Sequence, residues 1–541
     1  MVGIISNQIT NRNQGGGSNK YAIPARIGKS ARLARVILIR TNGRENSLCP
    51  TKEVNGGNFS SNEALERLRG CTKINGNLFF LNFTVQIDFS VFDCLQEITG
   101  SFSVSSNGGL TTISGFRNLK TVGGIFQIRS HDALTIISGF GNLVSVGDYF
   151  DIKFNAELTT TSGFGNLQTV VGRFEIITNP KLTTILGFGN LQTVGGRFVI
   201  SNNLLLPTIP DFVNLETVGG YFLMRDNAVL TEILGFGNLA TVVEYFDIKF
   251  NPELTTISGF GMLDSVGGYF DIYANLKLTT ILGFGNLQTV VGYFRISNNL
   301  LLPTIPDFVN LETVGGYFDI ITNPKLTTIS GFVKLKTVGG YFDIYNNTLL
   351  QTISDFGNLV SVGSLGVIGH FRIFQNAALT TISGFVNLET VGRYFNIVNN
   401  AELTTISGFT KLEEIGEYVR INGNAKLTTI SGFVNLDRVG FYFEIFSNFL
   451  LETISGFVNL KTVGQYFTIS HNSGGITPAS NLVVVLTIVN AFGSFTTGGI
   501  SGNLTVSGFS TSKKISISEV TKTNMEAATT QVRTFNNLIT T

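Results

Sequence analysis

A 24-residue period governs this chain. Leu110 is followed at that interval by Leu134, Leu158, Leu182, Leu206, Leu230, Leu254, Leu278, Leu302, Leu326 and Leu350. After a five-residue insertion near Ser364–Ile368 it resumes at Leu379, Leu403, Leu427 and Leu451, giving fifteen clear copies. A typical unit is LTTISGFVNLETVGRYFNIVNNAE, residues 379–402. Such a unit cannot bury its apolar side chains alone and must stack on its neighbours. Counting from the repeating Leu, positions 1 and 10 are Leu and position 7 is Phe in all fifteen copies. Position 13 is Val except for Ile415, and position 17 is Phe except for Val419. Apolar columns that persist through every copy face one shared interior. The alternation in YFDI reads as a short strand, and the Gly- and Asn-spaced LTTISGFxNLxTVG as tight bends. One main strand per coil is expected. The register extends back through Phe92, Leu95 and Ile98, and again through Leu68 and Ile74, so about seventeen coils are predicted. At about 4.8 Å per coil they make a rod roughly 80 Å long. The expected fold is an all-β, right-handed parallel β-solenoid with 24 residues per coil, an N-terminal helical cap and a C-terminal β cap or small β domain. Position 22 is Asn in every copy but the first, where His131 stands. Stacked Asn side chains form an internal ladder that satisfies buried backbone groups.

Four segments follow: a basic, Gly-containing arm at 1–47, a cap and first coil at 48–85, the repeat array at 86–474, and a C-terminal β region with a tail at 475–541. Ser60-Ser61-Asn62-Glu63 is a capping-box pattern that opens a short helix over the first coil. Cys49 precedes that helix and Cys71 follows it. A 49–71 disulfide would tie the cap down, and the alternative is two free thiols, Cys71 falling in the buried Leu column. Cys94 reads as a small buried residue. Past Asn472 the period fails; 482–488, 503–507 and 515–518 read as strands and 526–535 as a short helix. Residues 1–47 hold eight Lys or Arg against Glu45 alone, among them Arg26, Lys29, Arg32 and Arg35. Such a run is a solvated tail or an arm that docks on an acidic partner in a larger assembly, together with 475–541. Met1–Ile9 has no basic n-region or apolar h-region, so a conventional export signal is not visible. SNNLLLPTIPDFVNLETVGGYF occurs at both 201–222 and 297–318, four coils apart, the trace of a block duplication.

Cys49, the helix after it and RLRGCTKINGNLFF at 67–80 resemble the opening of receptor L domains, which are leucine-rich-repeat-like solenoids. The LTTISGFxNLxTVGGxFxI units are similar to the repeats of that family. The resemblance spans roughly 48–472 and implies the solenoid fold with a binding or surface role. Phe at position 7, where Leu is more usual, and the length of the array depart from the family. No kinase, cysteine-rich module or membrane segment follows, so a receptor function does not carry over.

The outward strand face is the best candidate site. Position 16 carries Tyr221, Tyr245, Tyr269, Tyr293, Tyr317 and Tyr341, and position 18 carries Asp247, Asp271, Asp319 and Asp343. Tyr supplies contact area with a hydroxyl, so this face suits a protein or glycan ligand; the bland alternative is a self-stacking ladder that only shields the sheet. Neighbouring Asp pairs such as 247/271 and 319/343 resemble the spacing of a polysaccharide-cleaving site. They recur like ordinary face residues, so no enzyme is expected. Thr at position 3 in thirteen coils raises ice binding as a minor reading. The net charge of +1 points to no nucleic acid. Three His and three Cys in 541 residues make a metal or cofactor site unexpected, and no apolar run is long enough for a transmembrane helix. Two readings lead: an extracellular or cell-surface recognition or adhesion protein, and a structural component of a virion, surface layer or fibre. The cap cysteines and the sequons at Asn58, Asn82, Asn346 and Asn503 favour the first; the missing signal and the basic arm favour the second.

Overall fold

The computed structural model describes residues 49 and 51–472, apart from 210–211, 306, 455, 458, 465–466 and 471, together with the strands Val483–Val484 and Leu504–Ser507. The basic arm, Tyr466 and the C-terminal helix expected at 526–535 lie outside the described residues, as does most of the C-terminal β region. The repeat folds as a parallel β-solenoid of about 17 turns. Most coils carry, besides the one main strand of four residues, two further strands of two residues each; in the Leu206 coil the first of these is reduced to a single bridge at Thr208. In a representative coil the three strands are Thr256–Ile257, Ser265–Val266 and Phe270–Tyr273. Each pairs in parallel with its equivalent one coil away, so Phe246 faces Phe270 and Ile248 faces Ile272. The sequence signals only the third strand because the other two hold just two residues each, too short for a period-2 pattern.

The inward columns are the predicted ones. Leu254, Ile257, Phe260, Leu263, Val266, Phe270 and Ile272 are fully buried in one coil, and the other coils repeat this. The two Phe columns form a spine. Phe126 stacks on Phe150 at 4.9 Å between centroids, and its edge meets Phe140 at 5.0 Å and 85°. Rings in one column stack face to face; rings of different columns meet edge to face, the arrangement their quadrupoles prefer. The Asn ladder forms as expected: the Asn179 amide N–H donates to Asn203 Oδ1 at 3.1 Å, and Asn179 Nδ2 donates to the Ile152 carbonyl at 3.0 Å. His131 keeps the first rung by accepting the Asn107 N–H at Nδ1, 3.1 Å away. The residue before each ladder Asn from Asn107 to Asn448 takes a left-handed turn to aim that side chain inward. Phe154, Thr178, Phe250 and Thr322 do so at φ 55–57°.

Two prolines mark the duplicated block. At position 2 most coils carry a Thr whose N–H donates one coil back, as Thr183 does to the Thr159 carbonyl at 3.0 Å. Pro207 and Pro303 have no N–H to give. The sheet built from the LTTI strands breaks at these two coils, into pieces of four, three and eight strands. The long sheet of 35 strands, which carries the YFDI segments, runs on past both.

At the N-terminal end, β1 (Glu53–Phe59) adds a strand beside β2 (Lys73–Leu81). Between them lies the short helix α1 (Asn62–Leu65), where the Ser61 side chain accepts the Ala64 N–H. The expected Cys49–Cys71 bridge is corrected: Cys49 is bonded to Cys94, with Cα atoms 5.4 Å apart, and Cys71 is free. Cys71 stands 24 residues before Leu95 and shares its inward column, fully buried. Burial pushes its thiol up to about 11. Cys94 precedes that column by one residue, so its sulfur faces the outer edge of the coil. Cys94 is thus a bridge and not the small buried residue expected. The insertion closes on itself through paired Ser364 and Ile368 and leaves the columns intact. Beyond Asn472, Val483–Val484 pairs with Thr453–Ile454 and Leu504–Ser507 with Phe467–Ser470, so both strands extend the parallel sheets.

Candidate functional site

The face of the YFDI strands carries three parallel rows. Position 16 is the Tyr row. Tyr221, Tyr245, Tyr269, Tyr293, Tyr317 and Tyr341 are each half-buried and stack in sequence, with centroids 4.3–4.6 Å apart and planes within 9°. The spacing lies just under the strand repeat of about 4.8 Å, so stacking follows from register with a small tilt of the rings. The row continues through His370 to Tyr394, Tyr418 and Tyr442, which makes ten rings without a gap. His370 escaped the sequence reading because the insertion shifts it five residues; counting from Phe371 would have placed it. Its ring lies 4.7 Å from Tyr341 and 4.3 Å from Tyr394. The stack consumes the ring faces, so hydroxyls and ring edges are what it presents to solvent. Burial raises the Tyr245, Tyr269, Tyr293 and Tyr341 hydroxyls above the ordinary phenol range and keeps them neutral donors.

Position 18 is the floor of a trough. These side chains point away from the core, as expected, but they are not exposed. Asp247, Asp271 and Asp343 are 0–2% exposed and Asp319 is 6% exposed. The Tyr row covers them on one side and position 20 on the other, where Lys249, Tyr273, Ile321 and Tyr345 stand. Alternation along a strand reveals the face but not this lateral cover. The floor is in register from coil to coil: Asp247 beside Asp271, then Arg295, Asp319, Asp343 and Arg372.

Buried carboxylates need partners, and most of these have one. Lys249 pairs with Asp247. Arg295 forks onto Asp271, its Nε 3.0 Å from Oδ1. Arg372 forks onto Asp343, with Nε 3.0 Å from Oδ1, and His370 Nε2 lies 3.1 Å from the same oxygen. A second cluster serves Asp151 and Glu175 with Lys153, Arg173 and Arg197. Val199 and Leu223 separate the two clusters on the floor. Sequence reading missed the position-16 arginines Arg173 and Arg197 as part of this face. Asp319 stands apart. Its Oδ1, like that of Asp247, is buried without a hydrogen-bond partner, but Asp247 keeps Lys249 on its other oxygen and Asp319 has no cation within ion-pair distance among the described residues. Burial, with Asp343 alongside, raises its carboxyl to about 7.

Among the described residues no group of three His, Cys, Asp or Glu is placed to hold a metal, and no helix is long and apolar enough to cross a membrane. Arg26, Lys29, Arg32 and Arg35 lie outside the described residues.

Residues 70–139 match the model of the receptor L domain family, the stretch that follows directly on the cap motif. None of the curated proteins matches the chain. Among solved structures, the crystal structure of a TLR13–ssRNA13 complex is similar at 12% identity, over 71% of this chain and 83% of that one, with a TM-score of 0.13.

Proposed function

We propose that this chain is a non-enzymatic recognition protein that binds its ligand along the Tyr/Asp strand face. The observation that carries this reading is the buried charge on the floor. A scaffold gains nothing from carboxylates there, because the same row accepts Val199, buried, and Leu223, half-buried, in neighbouring coils. Burying charge costs stability unless it is paired. Retaining it fits a surface built to discriminate among ligands. The receptor L domain match favours the same class, since that family is one of recognition solenoids. Because the Tyr faces are already stacked, a sugar ring has no aromatic face to lie on. The row of hydroxyls beside a charged trough favours a protein ligand over a glycan.

Other readings gain less support. The neighbouring Asp pairs are buried, and three of the four Asp are held in ion pairs, which leaves no exposed nucleophile beside an acid. The Thr ladder is interrupted by Ile136 and Glu232, and its sheet breaks at two prolines, which weighs against a flat ice-binding lattice.

The test is a paired binding screen against cell surfaces, secreted proteins and glycans. Each binder is re-measured with Tyr269→Ala/Tyr293→Ala and with Thr256→Ala on another face. The expected result is a loss of tenfold or more for the Tyr variant only, in line with truncation of central aromatic anchors. Unchanged binding for every binder would reduce the Tyr row to scaffold.

A further inference from the structure

The floor between Asp247 and Arg372 is one positive charge short. Four carboxylates, Asp247, Asp271, Asp319 and Asp343, face three permanent cations, Lys249, Arg295 and Arg372; the one further basic group, the His370 imidazole, lies on Asp343, which Arg372 already serves. The deficit falls at Asp319. Arg295, its neighbour on one side, is turned to Asp271, and Arg372 beyond Asp343 is turned to Asp343. Of the six buried carboxylates on the floor, Asp319 keeps the most exposure, 6% against 0–2% for the others. It is therefore the one most reachable from the trough, and the only one that no basic side chain of the described residues serves.

The chain's own side chains reveal what the trough is shaped to hold. The Arg295 guanidinium lies over Asp271 between two aromatic rings, 5.4 Å from the Tyr293 centroid and 5.1 Å from that of Tyr273. Arg372 over Asp343 lies 4.9 Å from the Tyr345 ring. A planar, weakly hydrated cation suits this sandwich of rings above a carboxylate better than a compact ammonium. A neutral saccharide would leave the charge uncompensated.

We propose that Asp319 receives a guanidinium from the ligand, so that a protein partner docks an arginine side chain between Arg295 and Arg372. This rests on the reading of the strand face as the recognition surface and names the chemistry of its ligand. The groups facing Asp319 are Arg295 and Asp343 along the floor, Asp271 and Arg372 one step further, Tyr317 and Tyr341 on one wall and Tyr345 on the other, with His370 above Asp343. The competing occupant is a proton, which the raised carboxyl of Asp319 would take near neutrality.

The experiment follows the Asp319 carboxyl carbon by NMR in the full chain labelled at Asp, with Asp319→Asn used to assign the resonance. Its titration midpoint is recorded alone, with N-acetyl-arginine amide, and with N-acetyl-citrulline amide, the neutral isostere. A cation that binds the ionised form must lower the midpoint. The arginine amide at saturation should lower it by about one pH unit, a tenfold preference for the ionised form, and the citrulline amide should leave it in place. An unmoved midpoint, or equal effects of the two amides, overturns the proposal and leaves Asp319 a protonated scaffold residue. The two readings separate cleanly. If the Tyr269→Ala/Tyr293→Ala variant abolishes ligand capture while the midpoint ignores arginine, the recognition face stands and its arginine specificity falls. If the midpoint responds but no binder depends on the Tyr row, the reverse holds.

Discussion

Thr322 turns its backbone left-handed, at φ 55°, so that Asn323 can enter the ladder. An L residue with a Cβ pays about 1–2 kcal/mol there, and a β-branched one fits worst. Its N–H donates to the Tyr345 carbonyl at 3.0 Å, a bond that glycine keeps. Thr322→Gly should therefore stabilise the chain by roughly 0.5–1 kcal/mol after the entropy cost of glycine. Thr337→Gly, in the strand Thr337–Val338, should destabilise it by a similar amount; thermal melts of both variants check the opposite signs. Asp319 supplies a pH signature. Its folded-state carboxyl lies near 7, above the unfolded value near 4, so its contribution is fully present below about pH 4, is lost as pH rises to about 7, and stays lost above that. The full shift corresponds to at most about 4 kcal/mol. Asp319→Asn should remove that fall, and amide exchange in the flanking strands Phe318–Ile321 and Phe342–Tyr345 at pH 5 and pH 8 reads the larger part of it. A wild-type chain whose exchange protection is equal at both pH values, after correction for intrinsic rates, contradicts the assignment.

At the scale of the element, the strands are too short to hold by themselves and depend on pairing with the next coil. Pro207 and Pro303 each delete one such bond, and the LTTI sheet splits at both. The amides of Thr304 and Ile305 should exchange roughly fivefold faster than those of Thr280 and Ile281, as befits the loss of about 1 kcal/mol from one hydrogen bond. Equal protection would mean that the YFDI sheet alone sets the opening free energy. The prolines were legible in the sequence as part of the duplicated block. Their effect was not, because it depends on a donor missing against a carbonyl 24 residues away. The cysteines show the same limit. Cys49, Cys71 and Cys94 are three candidates near one end, and spacing favoured 49–71. Orientation reversed it: Cys71 shares the inward column of Leu95, and Cys94 stands one residue outside that column.

At the scale of the molecule, a solenoid in which each coil touches only coils one or two steps away, as Phe126 touches Phe150 and Phe164, should tolerate the loss of whole coils. The duplicated segments offer a clean excision. Removing residues 201–296 joins Ile200 to Ser297 and deletes four coils without disturbing any column. The shortened chain should fold to the same strand content per residue, read by circular dichroism, with Tyr317, Tyr341 and Asp319 still in place. Failure to fold would show that the array depends on more than neighbour contacts. Such a deletion is conceivable from the sequence alone because fifteen copies of one column pattern need one shared interior, whatever the detail of the coil. The period, the inward Leu, Phe, Val and Ile columns and the Asn ladder were all determined there. Only the tertiary structure decided that the position-18 carboxylates are buried, which cation serves each, that His370 completes the ring stack, and that Asp319 is left unserved. These outcomes turn on lateral packing between rows and on charges contributed from neighbouring coils. Alternation along one strand distinguishes inside from outside, but it carries no information on what covers the outer face.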